Sequence, residues 1–378
     1  MRYSLSFYVA LSTLGMGTIF ASGPNYLESE TFLEQNFTPT HEIAGNTNPK
    51  KKQENGKNGA APAREMITML PSMPCPDRWR LSVDFLYLLP TVDDTYYVMN
   101  SGSTTSFPDG KRQNNDFGFT PAFRVGGEYA FCETHRKLQT YYTHLSSHQE
   151  QTTTGTNLWG TLGRPDLTSS FESYNGFASS DLNLLYQRLD TTFFQQAINC
   201  YGLQLSVQPG IEYAYMRLRE QYEYHSTVPA TGVITQKSRA WGIGPEIGLG
   251  MDYNFYQSTF KCYNWTQAFS VTSLFSGSIL MGHTKTKNFQ QLNSATIVST
   301  QDEHTWRTIP ALHASVGLDY RVIGAWVGCS LGIGYEFNTY VRALSRTSFS
   351  DDVANSLCQT DYYNFDVQGM YIQAALSF

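Results

Sequence analysis

Charge is scarce in this sequence. Asp, Glu, Lys and Arg make up 15% of its 378 residues, against about a quarter in ordinary soluble domains. A large soluble α/β enzyme needs more charge than this on its water-facing surface. The net charge is −6, and no basic block is long enough to offset it, which excludes nucleic acid as a partner. Long apolar runs are missing too. The nearest to one is 5–20, and Ser, Thr and Gly interrupt it. A helical span needs about 20 apolar residues, so any membrane insertion must use strands. Motifs that carry chemistry are also missing. The eight His residues show no HExxH or other metal spacing. The Gly-x-Gly runs at 242–250 and 332–334 lie inside strand-like sequence, whereas a phosphate loop joins a strand to a helix. The sequence calls for no metal and no cofactor, and it reads as a non-enzyme.

What is abundant is aromatic residues, at 14%, and glycine, at 30 residues. Three segments follow from composition. Residues 1–21 read as a secretory signal: Arg2 supplies the positive start, an apolar stretch follows, and Ile19 and Ala21 suit the −3 and −1 cleavage positions. Residues 22–74 are rich in Pro, Asn, Gly and Lys and read as a disordered periplasmic linker or plug. The remainder, 75–378, alternates.

The alternation is plainest at the end of the chain. Counted back from the last residue, Phe378, Leu376, Ala374, Ile372 and Met370 share one strand face, while Ser377, Ala375, Gln373, Tyr371 and Gly369 share the other. Trp79, Leu81, Val83, Phe85, Tyr87 and Leu89 do the same over 78–89, where Pro90 is expected to end the strand. Further strands are expected over 116–131, 137–147, 181–196, 201–224, 239–255, 264–281, 304–321 and 325–341. In 116–131, Phe117, Phe119 and Phe123 are assigned one face. Long connections near 91–115, 148–179, 225–237, 284–302 and 344–363 alternate with short ones near 132–136, 197–200, 257–263 and 322–324. Short periplasmic turns and longer extracellular loops produce such a rhythm. The expected fold is therefore all-β: a transmembrane antiparallel up-and-down β-barrel of about ten strands (range 10–14), closed by a terminal signal in Ile372, Leu376 and Phe378. Trp79, Trp241, Trp265, Trp306 and Trp326 lie near strand starts on the apolar face and form the expected aromatic girdles.

The segments 79–90 (WRLSVDFLYLLP), 123–130 (FRVGGEYA), 241–249 (WGIGPEIGL) and 367–378 resemble the recurring blocks of the Legionella-type major outer membrane protein family, which also occurs in chlamydia-like bacteria. The resemblance runs from about Trp79 to the last residue. It implies a pore-forming protein of the bacterial outer membrane. Its partners would be outer-membrane lipid and the barrel-assembly machinery. The function expected on this basis is passive diffusion of small solutes together with a contribution to envelope structure. The alternative is a surface structural or adhesion barrel whose extracellular loops bind a ligand, with no significant pore.

The inward face would carry Arg80, Asp84, Arg124, Glu128, Glu212, Glu246, Asp252, Arg307, Asp319 and Glu336. Charges tolerated inside a barrel would be costly against lipid. They are the pore-lining candidates, read either as cross-lumen pairs or as the wall of a cation-preferring pore. Ten strands make a narrow barrel, since open porins have 16 or more. A lesser alternative is an omptin-like rim protease, using Asp93, Asp94, Asp302 and His304. Six Cys in an exported chain is an even number in a disulfide-permissive compartment. Cys132, Cys200 and Cys262 sit in expected short turns and Cys75 lies just before the first strand, so all four are disulfide candidates at one rim. Turns two strands apart are about 10 Å from each other, while a bridge needs Cα atoms roughly 4.4–6.8 Å apart. That favours disulfides to neighbouring envelope proteins or to a second copy, which the chlamydial likeness also suggests; free thiols are the other reading.

Overall fold

A computed structural model of the chain describes residues 78–101, 110–131, 136–160, 173–226, 231–260, 265–292, 295–300, 303–324, 327–349 and 358–378. The signal and linker segments expected at 1–21 and 22–74 lie outside the described residues. The strands are β1 (Arg78–Val92), β2 (Tyr96–Asn100), β3 (Lys111–Asn114), β4 (Thr120–Phe131), β5 (Arg136–Gly160), β6 (Ser173–Cys200) and β7 (Leu203–Ser226). They continue as β8 (Thr231–Phe260), β9 (Trp265–Leu292), β10 (Ala295–Ser299), β11 (Glu303–Ile323), β12 (Gly328–Phe349) and β13 (Cys358–Ser377).

Ten of these form a closed antiparallel ring: β1, β4, β5, β6, β7, β8, β9, β11, β12 and β13, with β13 returning to β1. This is the expected strand number. The small β2–β3 hairpin adds to the upper end of β5, and β10 to β9. Closure is completed where β1 begins and β13 runs out: the Trp79 N–H donates to the Phe378 carbonyl (3.0 Å) and the Phe378 N–H to that of Trp79 (2.9 Å). Closing the ring leaves no wall strand with an unpaired edge at this level.

Register sorts the side chains by period two. In β1, Phe85 is 56% exposed while its neighbour Leu86 is 0% exposed. Leu81, Val83, Phe85 and Tyr87 face outward, as do Ile243, Ile247, Leu249, Leu331, Ile333, Met370 and Ile372 from other strands. An apolar outer wall of this kind is stable only against lipid. Between Trp241 and Tyr253 of β8, twelve steps at about 3.3 Å, tilted about 40°, give an apolar band roughly 30 Å tall.

Several expected boundaries are corrected. The stretch 148–179 is not one loop: β5 reaches Gly160 and β6 starts at Ser173. Likewise β8 takes in 231–237, β9 runs to Leu292, and β12 and β13 absorb both ends of 344–363. These extensions rise beyond the apolar band, so polar residues occupy both faces and the lipid-type alternation vanishes while Thr keeps its strand preference. Within 91–115, the β2–β3 hairpin replaces open loop. Pro90 lies inside β1. Pairing to β4 stops at Leu88–Thr120, leaving β13 as the one neighbour, and a missing donor is tolerated on a free side. Phe117 and Phe119 precede β4 and do not share an outward face: Phe117 is buried, Phe119 exposed.

β12 departs most from a plain barrel stave. Its ladder to β11 ends at Ala311–Tyr340, and its ladder to β13 slips between Tyr340 and Leu344. Arg342 sits there at φ 54°, a bulge conformation that re-aims the strand. Beyond it, Ala343 to Thr347 are all buried. The Ser345 N–H donates to Ser238 Oγ of β8 (2.9 Å), and Gln236 donates to the Thr347 carbonyl (3.0 Å). The upper part of β12 is thus folded into the interior.

Candidate functional site

The candidate site is the barrel interior, built from inward residues at three levels. Nearest the end where β1 starts and β13 finishes, the terminal end of the barrel, Arg321 bridges Asp252 (2.5 Å) and Asp319 (2.6 Å). At the same end, Lys137 meets Glu128 at 2.9 Å, with Arg80 at 3.8 Å from the same carboxylate. Arg80 also donates to Ser330 (2.8 Å). Deeper in, Arg124 of β4 joins Asp84 of β1 (3.3 Å) to Glu336 of β12 (2.5 Å). Tyr371 fills space beside them because Gly317 and Gly334 lack side chains: a Cβ on either would lie within 2.5 Å of its ring or hydroxyl.

The third level crosses the lumen. Arg188 of β6 contacts Asp190 (2.9 Å), Glu212 (3.2 Å) and Glu246 (3.3 Å). His313 stands between Glu212 (2.8 Å) and Asn338 (2.9 Å). Tyr340 donates to Glu212 (2.8 Å), and its hydroxyl is 2.9 Å from that of Tyr186. β6 and β12 lie five strands apart round the ring, so this contact spans the bore. Above it Phe365, Leu344, Leu182, Leu218 and Tyr222 are packed into a core that water does not reach. Arg346, from the infolded part of β12, is held by Glu220 of β7 through a two-point contact, Nε to Oε2 at 2.9 Å.

All ten sequence-predicted interior residues point inward. Nine lie in these networks or on the cavity below them; Arg307 stacks on the ring of Tyr362 (3.5 Å), in the gap where β11 and β12 part. Sequence reasoning missed Arg188, Asp190, Glu220 and Arg346. Arg188 and Asp190 stand on a strand whose phase is ambiguous in sequence. Arg346 falls in a stretch read as loop. Glu212, Glu246 and His313 could each offer one metal-ligand atom within 4.8 Å of the others, but the Arg188 guanidinium already meets both carboxylates. Between the third level and the terminal end is a polar cavity of about 480 Å³, lined by Arg80, Gln139, Gln208, Asp319 and Arg321 among others.

On the outer wall, Trp79 and Trp265 mark the terminal end of the apolar band and Trp241 and Trp306 the opposite end; Trp326 lies outside the described residues. Leu376, Ile372 and Phe378 face outward. His304 is also outward, hydrogen-bonded to His283 (2.9 Å). It is three strands round the ring from the turn that carries Asp93 and Asp94, and Asp302 lies outside the described residues. Of the disulfide candidates, Cys200 is an exposed free thiol, as is Cys329; Cys75, Cys132 and Cys262 lie outside the described residues.

Among solved structures, the outer membrane protease OmpT from Escherichia coli is similar at 9% identity and a TM-score of 0.41, over 82% of this chain and 99% of that one. The Pseudomonas putida toluene transporter TodX is similar at 9% identity and a TM-score of 0.29, over 80% and 89% of the two chains. A Pseudomonas aeruginosa FadL homologue gives 9% identity and a TM-score of 0.23, over 80% and 90%. No curated protein matches the chain. Residues 72–378 match the model of the family described as the Legionella pneumophila major outer membrane protein precursor. With a closed ten-strand ring, an apolar outer wall and a family match over most of its length, the chain belongs to that family of bacterial outer-membrane β-barrels.

Proposed function

We propose that this protein is a sealed structural barrel of the outer membrane, with a role in envelope architecture and surface presentation rather than bulk permeation or catalysis. The observation that carries the reading is the cross-lumen contact between Tyr186 and Tyr340, roofed by the infolded segment 343–347. Ten strands enclose little space, and here that space is a packed core at its middle and upper levels. Planar-bilayer recording on refolded, heat-modifiable protein tests it. The expected result is a quiet membrane; steady conductance steps at moderate voltage would sink the sealed reading.

Those steps would instead support passive diffusion of small solutes. The observation in favour of this second reading is the 480 Å³ charged cavity on the periplasmic side. It could serve as the vestibule of a narrow path if β12 swings out of the bore.

The envelope role includes linkage to neighbours. Cys200, the last residue of β6 on the periplasmic side, and Cys329 on the outward face of β12 are both exposed thiols near the same rim. Both are placed to meet another envelope protein or a second copy. On non-reducing electrophoresis of envelopes with thiols trapped before lysis, higher bands that collapse with reductant are expected. A monomer band that ignores reductant would remove the linkage from the reading.

A further inference from the structure

Above the extracellular tryptophans the outer wall changes from apolar to cationic on one side only. Register places Arg217 of β7 opposite Arg239 of β8, Arg239 opposite Lys285 of β9, and Lys285 opposite His304 of β11. The next row outward aligns Arg219, Lys237 and Lys287. Six Lys and Arg side chains thus share two adjacent rows on three strands, in a chain whose net charge is −6. Like charges directly opposite one another destabilise a sheet. Five of the six, Arg217, Arg219, Lys237, Arg239 and Lys287, form no ion pair among the described residues. The bond Arg219 does make is to neutral Gln221 (3.0 Å). Among the described residues, the outward carboxylates Asp181 and Glu223 lie further out and are engaged by Asn183 (2.7 Å) and Gln221 (2.8 Å).

Position identifies what this patch meets. The row directly below it is Tyr215, Trp241, His283 and Trp306, the interfacial belt, with Trp241 and Trp306 at 6.1 Å between ring centroids. Two residues further along a tilted strand lift the first cationic row roughly 5 Å above the tryptophans, and four lift the second roughly 10 Å. That is headgroup depth in the outer leaflet. A shallow cleft of about 550 Å³, lined by Tyr213, Tyr215, Arg239, Trp241, Lys285 and His304, opens at this height. Arg presents a planar fork that suits phosphate, and Lys a point charge that does the same.

We infer that this face of β7, β8, β9 and β11 is a docking surface for a phosphorylated glycolipid of the outer leaflet. Sugar phosphates would sit on the Arg217–Arg239–Lys285 row, and acyl chains would run down the apolar wall beneath Trp241 and Trp306. The inference holds whether or not the lumen conducts.

The test uses the full, folded barrel in detergent with three probes: bis-phosphorylated lipid A, the same lipid after phosphatase treatment, and inorganic phosphate. R239Q/K285Q removes two outward cations, and K111Q/R112Q removes two from the exposed β3 as control. The double variant in the patch should bind phosphorylated lipid roughly tenfold or more weakly, from the usual contribution of each basic residue near a charged surface. The control should stay within about twofold of wild type, and phosphatase-treated lipid should bind all forms poorly. If R239Q/K285Q lacks the heat-modifiable mobility of a folded barrel, the R217Q variant is measured in its place. Equal binding by the patch variant, an equal loss in the control, or undiminished binding of dephosphorylated lipid would each overturn the lipid site. Displacement of bound lipid by inorganic phosphate at matched concentration would overturn the lipid as the ligand and leave a soluble-anion site.

Discussion

A single guanidinium holds the middle of the lumen together. Arg188 has three carboxylates within 3.3 Å, and Glu212 adds His313 and Tyr340 to the cluster. Removing one partner of a buried ion network leaves uncompensated charge, which costs more than the network contributes when intact. Arg188→Met should therefore destabilise the folded barrel by about 3–5 kcal/mol, read as a lower denaturant midpoint for loss of heat-modifiable mobility. Adding Glu212→Gln should recover part of that loss, because one of the stranded carboxylates is then neutral; residues this close do not act additively. A double variant less stable than the single would mean that Arg188 works by packing alone. None of this wiring could be read from spacing. The charges Glu212 and Glu246 are visible in sequence because they interrupt clean apolar alternation, whereas Arg188 lies in a strand where both faces look mixed.

At the scale of the strand, the sequence is most legible where lipid imposes a contrast. From Trp241 to Tyr253 the outward residues are mostly apolar and the inward ones Gly, Glu or Asp, so phase and span are plain. Beyond Trp241 toward the β8 start, Lys237 and Thr235 point outward above the apolar band, while Gln236 and Ser238 face the crowded interior. Polar on both faces reads as loop, and that is why 148–160 and 231–237 look unstructured in sequence although they continue β5 and β8. The infolding of β12 was illegible for another reason: a bulge at Arg342 is set by tertiary contacts, with no glycine to announce it. The extension of β5 makes a clear expectation. Thr152, in register with Ser179 of β6 and exposed, should stand in water above the outer leaflet. A Thr152→Cys variant should react with a membrane-impermeant maleimide on intact cells, above the background of the native cysteines. Val125→Cys, in the apolar band of the neighbouring strand, should not. Equal labelling at both positions would argue against β5 rising clear of the membrane.

At the scale of the whole barrel, the described strands form one closed ring, and β13 is the strand that completes it. β13 must pair with β12 on one side and with β1 on the other, so the first and last strands close a circuit of ten. The pairing is in place along Ile372, which stands opposite Phe85 of β1 and Ile333 of β12. All three face outward near the middle of the apolar band. A charge there has no lumen to turn to, since period two fixes its direction once both neighbours are paired. Ile372→Arg should therefore cost roughly 2–4 kcal/mol, the depth-dependent price of Arg at the midplane of a barrel wall. Gln373→Arg, one residue on, faces the polar cavity below Arg124 and should cost much less. Folding yields into bilayers of fixed thickness, compared between the two variants, measure the difference. Should they fall together, the closing strand would not be held in the observed register, and the apolar stripe counted back from Phe378 would have to face something other than lipid.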